Sequence, residues 1–200
     1  IRVNSPGGSV VASETIWHQI KKMSDENKKP VAVSMGTVAA SGGYYVSMSA
    51  PKIFADHNTI TGSIGVVLGK MYTREFFKKL GITFDTVSTG KNTEMFSPLT
   101  RLEEDQKANM ESSLDDIYKT FVERAAQGRK MEYDALEKHA KGRVWTGAQA
   151  KERGLVDETG GFMETMDYMN SKIGGGKELK VVLDAIAEQA DLHARPIDVL

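Results

Sequence analysis

Val33-Ser34-Met35-Gly36-Thr37-Val38-Ala39-Ala40-Ser41-Gly42-Gly43-Tyr44-Tyr45 runs from an apolar stretch through a string of small residues into two aromatics. Val31 to Met35, entered from Lys29-Pro30, is short and apolar and carries β-branched Val31 and Val33. That is the pattern of a strand buried on both faces. Gly36 to Gly43 then reads as a turn of small residues, and Tyr44-Tyr45-Val46 as the start of a helix.

The same order appears upstream. Ile1-Arg2-Val3-Asn4 reads as the end of a buried strand, and Asn4-Ser5-Pro6-Gly7-Gly8-Ser9 as a glycine-rich turn. Ser9 is an N-cap for a helix over 10–24 that sets Ser13, Ile16, Trp17, Ile20 and Met23 on one face. Downstream, Lys52 to Ala55 and Ile60 to Leu68 read as strands. Thr73 caps a helix ending at Gly81, and Ile82 to Val87 alternates as a strand does. Strand, helix, strand, helix, strand predicts an α/β fold with a parallel sheet.

After residue 98 the character changes. Thr100-x-x-Glu103 reads as a capping box opening a long helix with Leu102, Met110, Leu114, Ile117, Tyr118 and Phe121 at helical spacing. Helices follow over 131–141, 146–153 (capped by Thr146) and 161–172, with a late strand over 178–183. Residues 1–200 read as one domain, an α/β core over 1–98 and a mainly helical part with that strand over 99–200. The start directly on a strand predicts an N-terminal segment beyond this chain.

Formal net charge is −1, with 26 basic and 27 acidic residues, which argues against a nucleic-acid partner. Without cysteine there is no disulfide, thiolate ligand or cysteine nucleophile. No run reaches the roughly 20 apolar residues of a membrane span. The acidic pairs Glu103-Glu104 and Asp115-Asp116 fall on predicted helix surface, and no metal or cofactor is implied.

Both glycine turns join a strand to a helix and leave backbone N–H groups free to bind an anion or a developing oxyanion. Spacing alone is equally met by tight turns that need positive φ or close packing. Neither turn carries the Gly-Lys-Ser/Thr of a P-loop or a G-x-G-x-x-G fingerprint. Ser41, among Ala and Gly, is the candidate nucleophile, and a nucleophilic serine needs a base. His18 and His139 read as solvated, His57 as a turn residue and His193 as part of the tail. A lysine is the other candidate, since burial makes it basic at neutral pH.

Four blocks in order extend this reading: V-N-S-P-G-G-S at 3–9, V-S-M-G-T-V-A-A-S-G-G-Y-Y at 33–45, T-I-T-G-S-I-G-V at 59–66 and G-R-V-W-T-G-A-Q-A-K-E-R-G-L-V-D at 142–157. On them the chain resembles the signal peptide peptidase A family, or protease IV, within the ClpP/crotonase fold group. The resemblance implies a layered ClpP/crotonase-like fold and a serine/lysine peptidase. Its nucleophile would be Ser41, its oxyanion donors the N–H groups of Gly8 and Gly42 (with Gly7 as the fallback for Gly8), and Ser63 would orient the lysine. The family segment G-x-Y-K-x-x-x-S-P matches Gly90 to Pro98, where Thr93 stands at the lysine position and Lys91 lies two residues away. On an extended strand that is a displacement of about 7 Å.

Long family members contain two halves, with the serine in the second and the lysine in the first, so the chain reads as a C-terminal half. Implied with it are peptide substrates left from cleaved signal peptides and a homo-oligomer. The membrane anchor would lie outside this chain, with the catalytic domain on the extracytoplasmic (periplasmic) side of a bacterial inner membrane. Two other readings stay open: a catalytically silent assembly domain and a crotonase-like acyl-CoA enzyme.

Overall fold

A computed structural model describes residues 1–90 and 92–173. The strand expected over 178–183, the tail with His193, and Lys91 lie outside the described residues. At the centre is β2 (Val33–Ala40), flanked in sequence by β1 (Arg2–Ser5), α1 (Val10–Asp25), α2 (Gly42–Ser47), β3 (Ile53–Ala55) and β4 (Ile60–Gly62). The parallel sheet expected from the element order is present. β2 pairs in parallel with β1, with β3 through Val33 and Ser34, and with β4 through Val38 to Ala40.

β2 is longer than its apolar run. Gly36 to Ala40, read as a turn, continues the strand and delivers Ser41 at its end. Small residues are needed there because neighbours press close: a Cβ on Gly36 would lie 2.6 Å from Asn4 Oδ1. Thr59 and Thr61 donate their hydroxyls to the carbonyls of Gly36 and Ala39, each at 2.7 Å. Buried hydroxyls are thereby satisfied and β4 is fastened to β2 beside the Ser41 turn.

β4 stops at Gly62 rather than running to Leu68, since Gly62 (φ 79°) and Ser63 (φ 49°) turn the chain away. α3 (Arg74–Lys79) forms where a helix is predicted, although Thr73 makes no side-chain cap. Ile82 to Val87 forms no strand. Ile82 and Val87 are exposed, and alternation makes a strand only where a sheet edge is there to pair with it.

The second half begins with α4 (Glu104–Arg129), whose cap is Glu103 with Gln106 rather than Thr100 with Glu103. Thr100 is occupied elsewhere, donating its hydroxyl to Glu94 O at 2.8 Å. Phe121, Val122, Ala125 and Ala126 of α4 enter the core, while Leu114, Ile117 and Tyr118 are only half-buried. After α5 (Tyr133–Glu137) come two short strands not foreseen, with α6 (Gly147–Glu152) between them and α7 (Phe162–Ile173) after. β5 (Val144–Thr146) is antiparallel to β4, and β6 (Glu158–Thr159) is parallel to β3.

Thr146 caps α6 as expected: its hydroxyl accepts from Gln149 N at 3.2 Å, and Gln149 Oε1 accepts from Thr146 N at 3.1 Å. Thr146→Ala is expected to cost about 1 kcal/mol, read as a lower urea midpoint with an unchanged slope.

Candidate active site

Ser41 joins β2 to α2 with φ 52° and ψ −119°, a left-handed conformation that a serine holds only under constraint. The constraint is visible. Ser41 N donates to Gly62 O at 2.9 Å, and Ser41 O accepts from Tyr45 N at 2.8 Å. Its backbone is thus tied to β4 and to its own helix, while the side chain stays half-exposed. A serine on a sharp, strained strand-to-helix turn is an arrangement that presents Oγ to a substrate.

The first glycine turn lies directly on the second. The ladder between β1 and β2 is irregular between Val3 and Ser5, and Val38 N donates at 3.2 Å to the side chain of Asn4. Past that bulge, Ser5 to Gly8 swing across to Ser41. A Cβ on Gly7 (φ 112°) would lie 2.7 Å from Ser41 Cβ and 2.8 Å from Gly42 N. A Cβ on Gly42 would lie 3.2 Å from Gly8 N and 2.6 Å from Ser13 Oγ. One on Gly43 would lie 2.4 Å from Ser5 O.

The turns therefore interlock through positions where only glycine fits. Gly7 N donates to Ser5 Oγ at 3.2 Å, so of the two candidate donors in the first turn Gly8 is the one left unengaged. The space a Gly8 Cβ would take is open.

Ser41, Gly8 and Ser63 line one cleft of about 740 Å³, and Gly42 follows Ser41 as the first residue of α2. The T-I-T-G-S-I-G-V and G-R-V-W-T-G blocks build the wall around Ser63. Ser63 N donates to Arg143 O at 2.7 Å and Gly142 N to Ile64 O at 2.9 Å. Trp145 on β5 packs where a Gly62 Cβ would be, 2.8 Å from its Cδ1. The remaining wall is mostly apolar, from Val10, Val66, Val67, Leu114 and Tyr118, with Asp115 and Lys141 as its charged members. Asp115 is exposed, as read from the sequence, but it faces this cleft, which a helical pattern cannot show.

Among the described residues no histidine lines the cleft. His57 sits in an exposed turn after β3. His139 is half-buried rather than solvated, 6.3 Å from the Trp145 ring in an edge-on contact. Burial first, then Arg153, Arg143 and Lys138, lower its pKa. Thr93 lies in an exposed turn with its hydroxyl on Gly90 O at 2.6 Å, and it is not part of the cleft wall. The stretch from Asn92 to Phe96 is turn, not extended strand.

Two lysines stand out that the sequence did not single out. Lys141 lines the cleft, 3.9 Å from Glu137 and well exposed. Lys70 has its Nζ buried without a hydrogen-bond partner, but it is not in the cleft wall.

Residues 23–174 match the family model described as Peptidase family S49. The chain is 40% identical over 184 residues to the chloroplastic serine protease SPPA of Arabidopsis thaliana, covering 92% of this chain and 27% of that protein. It is 43% identical over 169 residues to Protease 4 of Haemophilus influenzae, covering 84% of this chain and 27% of that protein. It thus spans about a quarter of the length of these relatives. Among solved structures, a ClpP1 mutant from Listeria monocytogenes superposes with a TM-score of 0.51 at 19% identity, covering 82% of this chain and 74% of the other. That likeness identifies the architecture as ClpP-like.

Proposed function

Because the chain belongs to peptidase family S49, we propose that it carries the nucleophile of a serine peptidase and that Ser41 is that nucleophile. The observation that carries this reading is the interlock of the two glycine turns. It holds Ser41 in a strained backbone at the cleft and packs the Gly7-Gly8 backbone against Gly42, where a Gly42 Cβ would lie 3.2 Å from Gly8 N. Ser41 Oγ attacks the carbonyl carbon of the scissile peptide, and the two N–H groups hold the oxyanion. The amine leaves with a proton, and water then hydrolyses the acyl-enzyme.

The base is a lysine supplied from outside the cleft wall described here. Thr93 occupies its expected position, and the lysine would come from another part of a longer, two-half protein. Ser63 faces the same cleft and orients the lysine ammonium. Lys141, the lysine in the wall, is drawn to Glu137 and is exposed, whereas a catalytic lysine is kept neutral by burial. The substrates are remnant signal peptides, whose apolar segments suit a wall of Val10, Val66, Val67 and Leu114. The whole protein works at the extracytoplasmic side of a membrane, anchored by a segment outside this chain.

Large apolar side chains stand exposed between residues 67 and 96: Val67 at 92%, Met71 at 74%, Phe76 at 60% and Val87 at 98%. Such a concentration favours burial against a further copy or a further half. Light scattering on the full-length protein is expected to give a homo-oligomer; a monomer overturns the assembly.

A fluorophosphonate is expected to label the full-length protein on the peptide containing Ser41. Residues 1–200 alone are expected to label far more slowly, and addition of the missing half to restore the rate. Label on a different serine, with Ser41 unmodified, would sink the proposal.

A further inference from the structure

The cleft wall is apolar on most sides and has two charges, of which one is spoken for. Lys141 lies 3.9 Å from Glu137, which also accepts from Tyr118 Oη at 3.5 Å. On α4, Asp115 lies three residues and Leu114 four residues before Tyr118, so each is a neighbour of Tyr118 on the helix surface, and all three line the cleft. The neighbours of Asp115 one helical turn away are engaged elsewhere. Lys119 lies 4.0 Å from Glu123, and Glu111 lies 4.0 Å from Lys107. Among the described residues Asp115 has no ion-pair partner, and its carboxylate is the open charge of the cleft.

We infer that Asp115 is a specificity-determining residue, favouring peptides that carry a cationic side chain beside the apolar stretch filling the cleft. The inference rests on the peptidase reading above and narrows its substrate. A lysine or arginine lays its aliphatic stem along apolar surface and keeps its charged end at a polar site. Leu114 and Asp115, adjacent on one helix, offer both. Secretory signal peptides have such a junction, where a positively charged segment meets an apolar one. Asp115 sets which part of the peptide enters, by holding the cationic end at the α4 wall while the apolar residues extend toward Ser41.

The test uses full-length protein with Ser41→Ala, so that binding is read without turnover. Fluorescein-labelled peptides with an apolar core carry one Lys, Gln or Glu at successive positions, and affinity is read by anisotropy. At one position Lys is expected to bind about two- to fivefold more tightly than Gln, the range of a solvent-exposed ion pair. Asp115→Asn removes the difference and Asp115→Lys turns the preference toward Glu. Thermal unfolding confirms that both variants fold.

A Lys-to-Gln ratio unchanged by Asp115→Asn overturns the inference, as does the absence of any position with a charge preference. Fluorophosphonate labelling of Ser41, measured separately, reports on the peptidase reading. Loss of label with the charge preference intact would reject the reaction and keep the binding site.

Discussion

Gly7→Ala is expected to lower kcat/KM of the full-length protein about 100-fold or more while leaving it folded. The reason is a contact rather than a general loss of flexibility. The new methyl would meet Ser41 Cβ at 2.7 Å, Gly42 N at 2.8 Å and Ser41 Oγ at 3.0 Å. On the other side Ser41 is held, its N–H by Gly62 O and its carbonyl by Tyr45 N, so the first turn is the part that gives way. As it moves it carries Gly8 N away from the position proposed for the oxyanion. Removing one such donor costs about 10²–10³ in rate.

The fold tolerates the change because the turn is at the surface, and the positive φ of 112° adds strain on the order of 1–3 kcal/mol. Gly8→Ala is the informative companion. It adds a methyl into open space, so a smaller loss than for Gly7→Ala is expected even though its φ is 146°. Wild-type kcat/KM in Gly7→Ala would remove the first turn from the mechanism.

These same residues show which parts of the site can be read without a structure. Ser41 between strand and helix, the Pro6-Gly7-Gly8 turn, Ser9 as a cap and Thr146 as a cap are local features, each decided by a few adjacent residues, and each stands where the sequence places it. Asn4 is different. Its work is to replace a backbone acceptor for Val38, 34 residues away, and nothing adjacent to it signals a bulge. The length of β2 was hidden for a related reason: Gly36, Ala39 and Ala40 have poor strand propensity, and the stretch is strand because β1 and β4 pair with it.

Ile82 to Val87 shows the opposite error, a local pattern without a sheet edge to complete it. β5 and β6, of three and two residues, are too short to carry a period. The cleft wall was the least legible part, since Val10, Val66, Leu114 and Lys141 meet only through the folded chain.

Arg129→Ala is expected to destabilise the chain by about 3 kcal/mol, the lower end of the cost of breaking a buried ion pair from one side, since Asp157 keeps 25% of its side chain exposed. Arg129 ends α4 with its side chain 6% exposed. Two of its nitrogens reach Asp157, at 2.7 and 3.1 Å, and its Nε donates to Gly154 O at 2.8 Å. Asp157 in turn accepts from Ile53 N at 2.7 Å, at the start of β3. One guanidinium therefore ties the last turn of α4 to β3 and to the Gly-Leu-Val-Asp segment.

The adjacent Gly128 leaves no room for a shift. A Cβ there would lie 2.1 Å from Met48 O, at the end of α2. Truncating Arg129 leaves the Asp157 carboxylate with Ile53 N alone, and the helix cannot slide to compensate. For a domain of this size the loss corresponds to a fall of roughly 10 °C in Tm. Replacing both partners, as Arg129→Met with Asp157→Leu, is expected to recover part of it, because the carboxylate is then no longer stranded. A loss below about 1 kcal/mol for Arg129→Ala would place the pair with ordinary surface bridges. Below the transition Ser41 should still react in the full-length variant, since the ion pair supports the fold at a distance from the cleft and contributes no group to its wall.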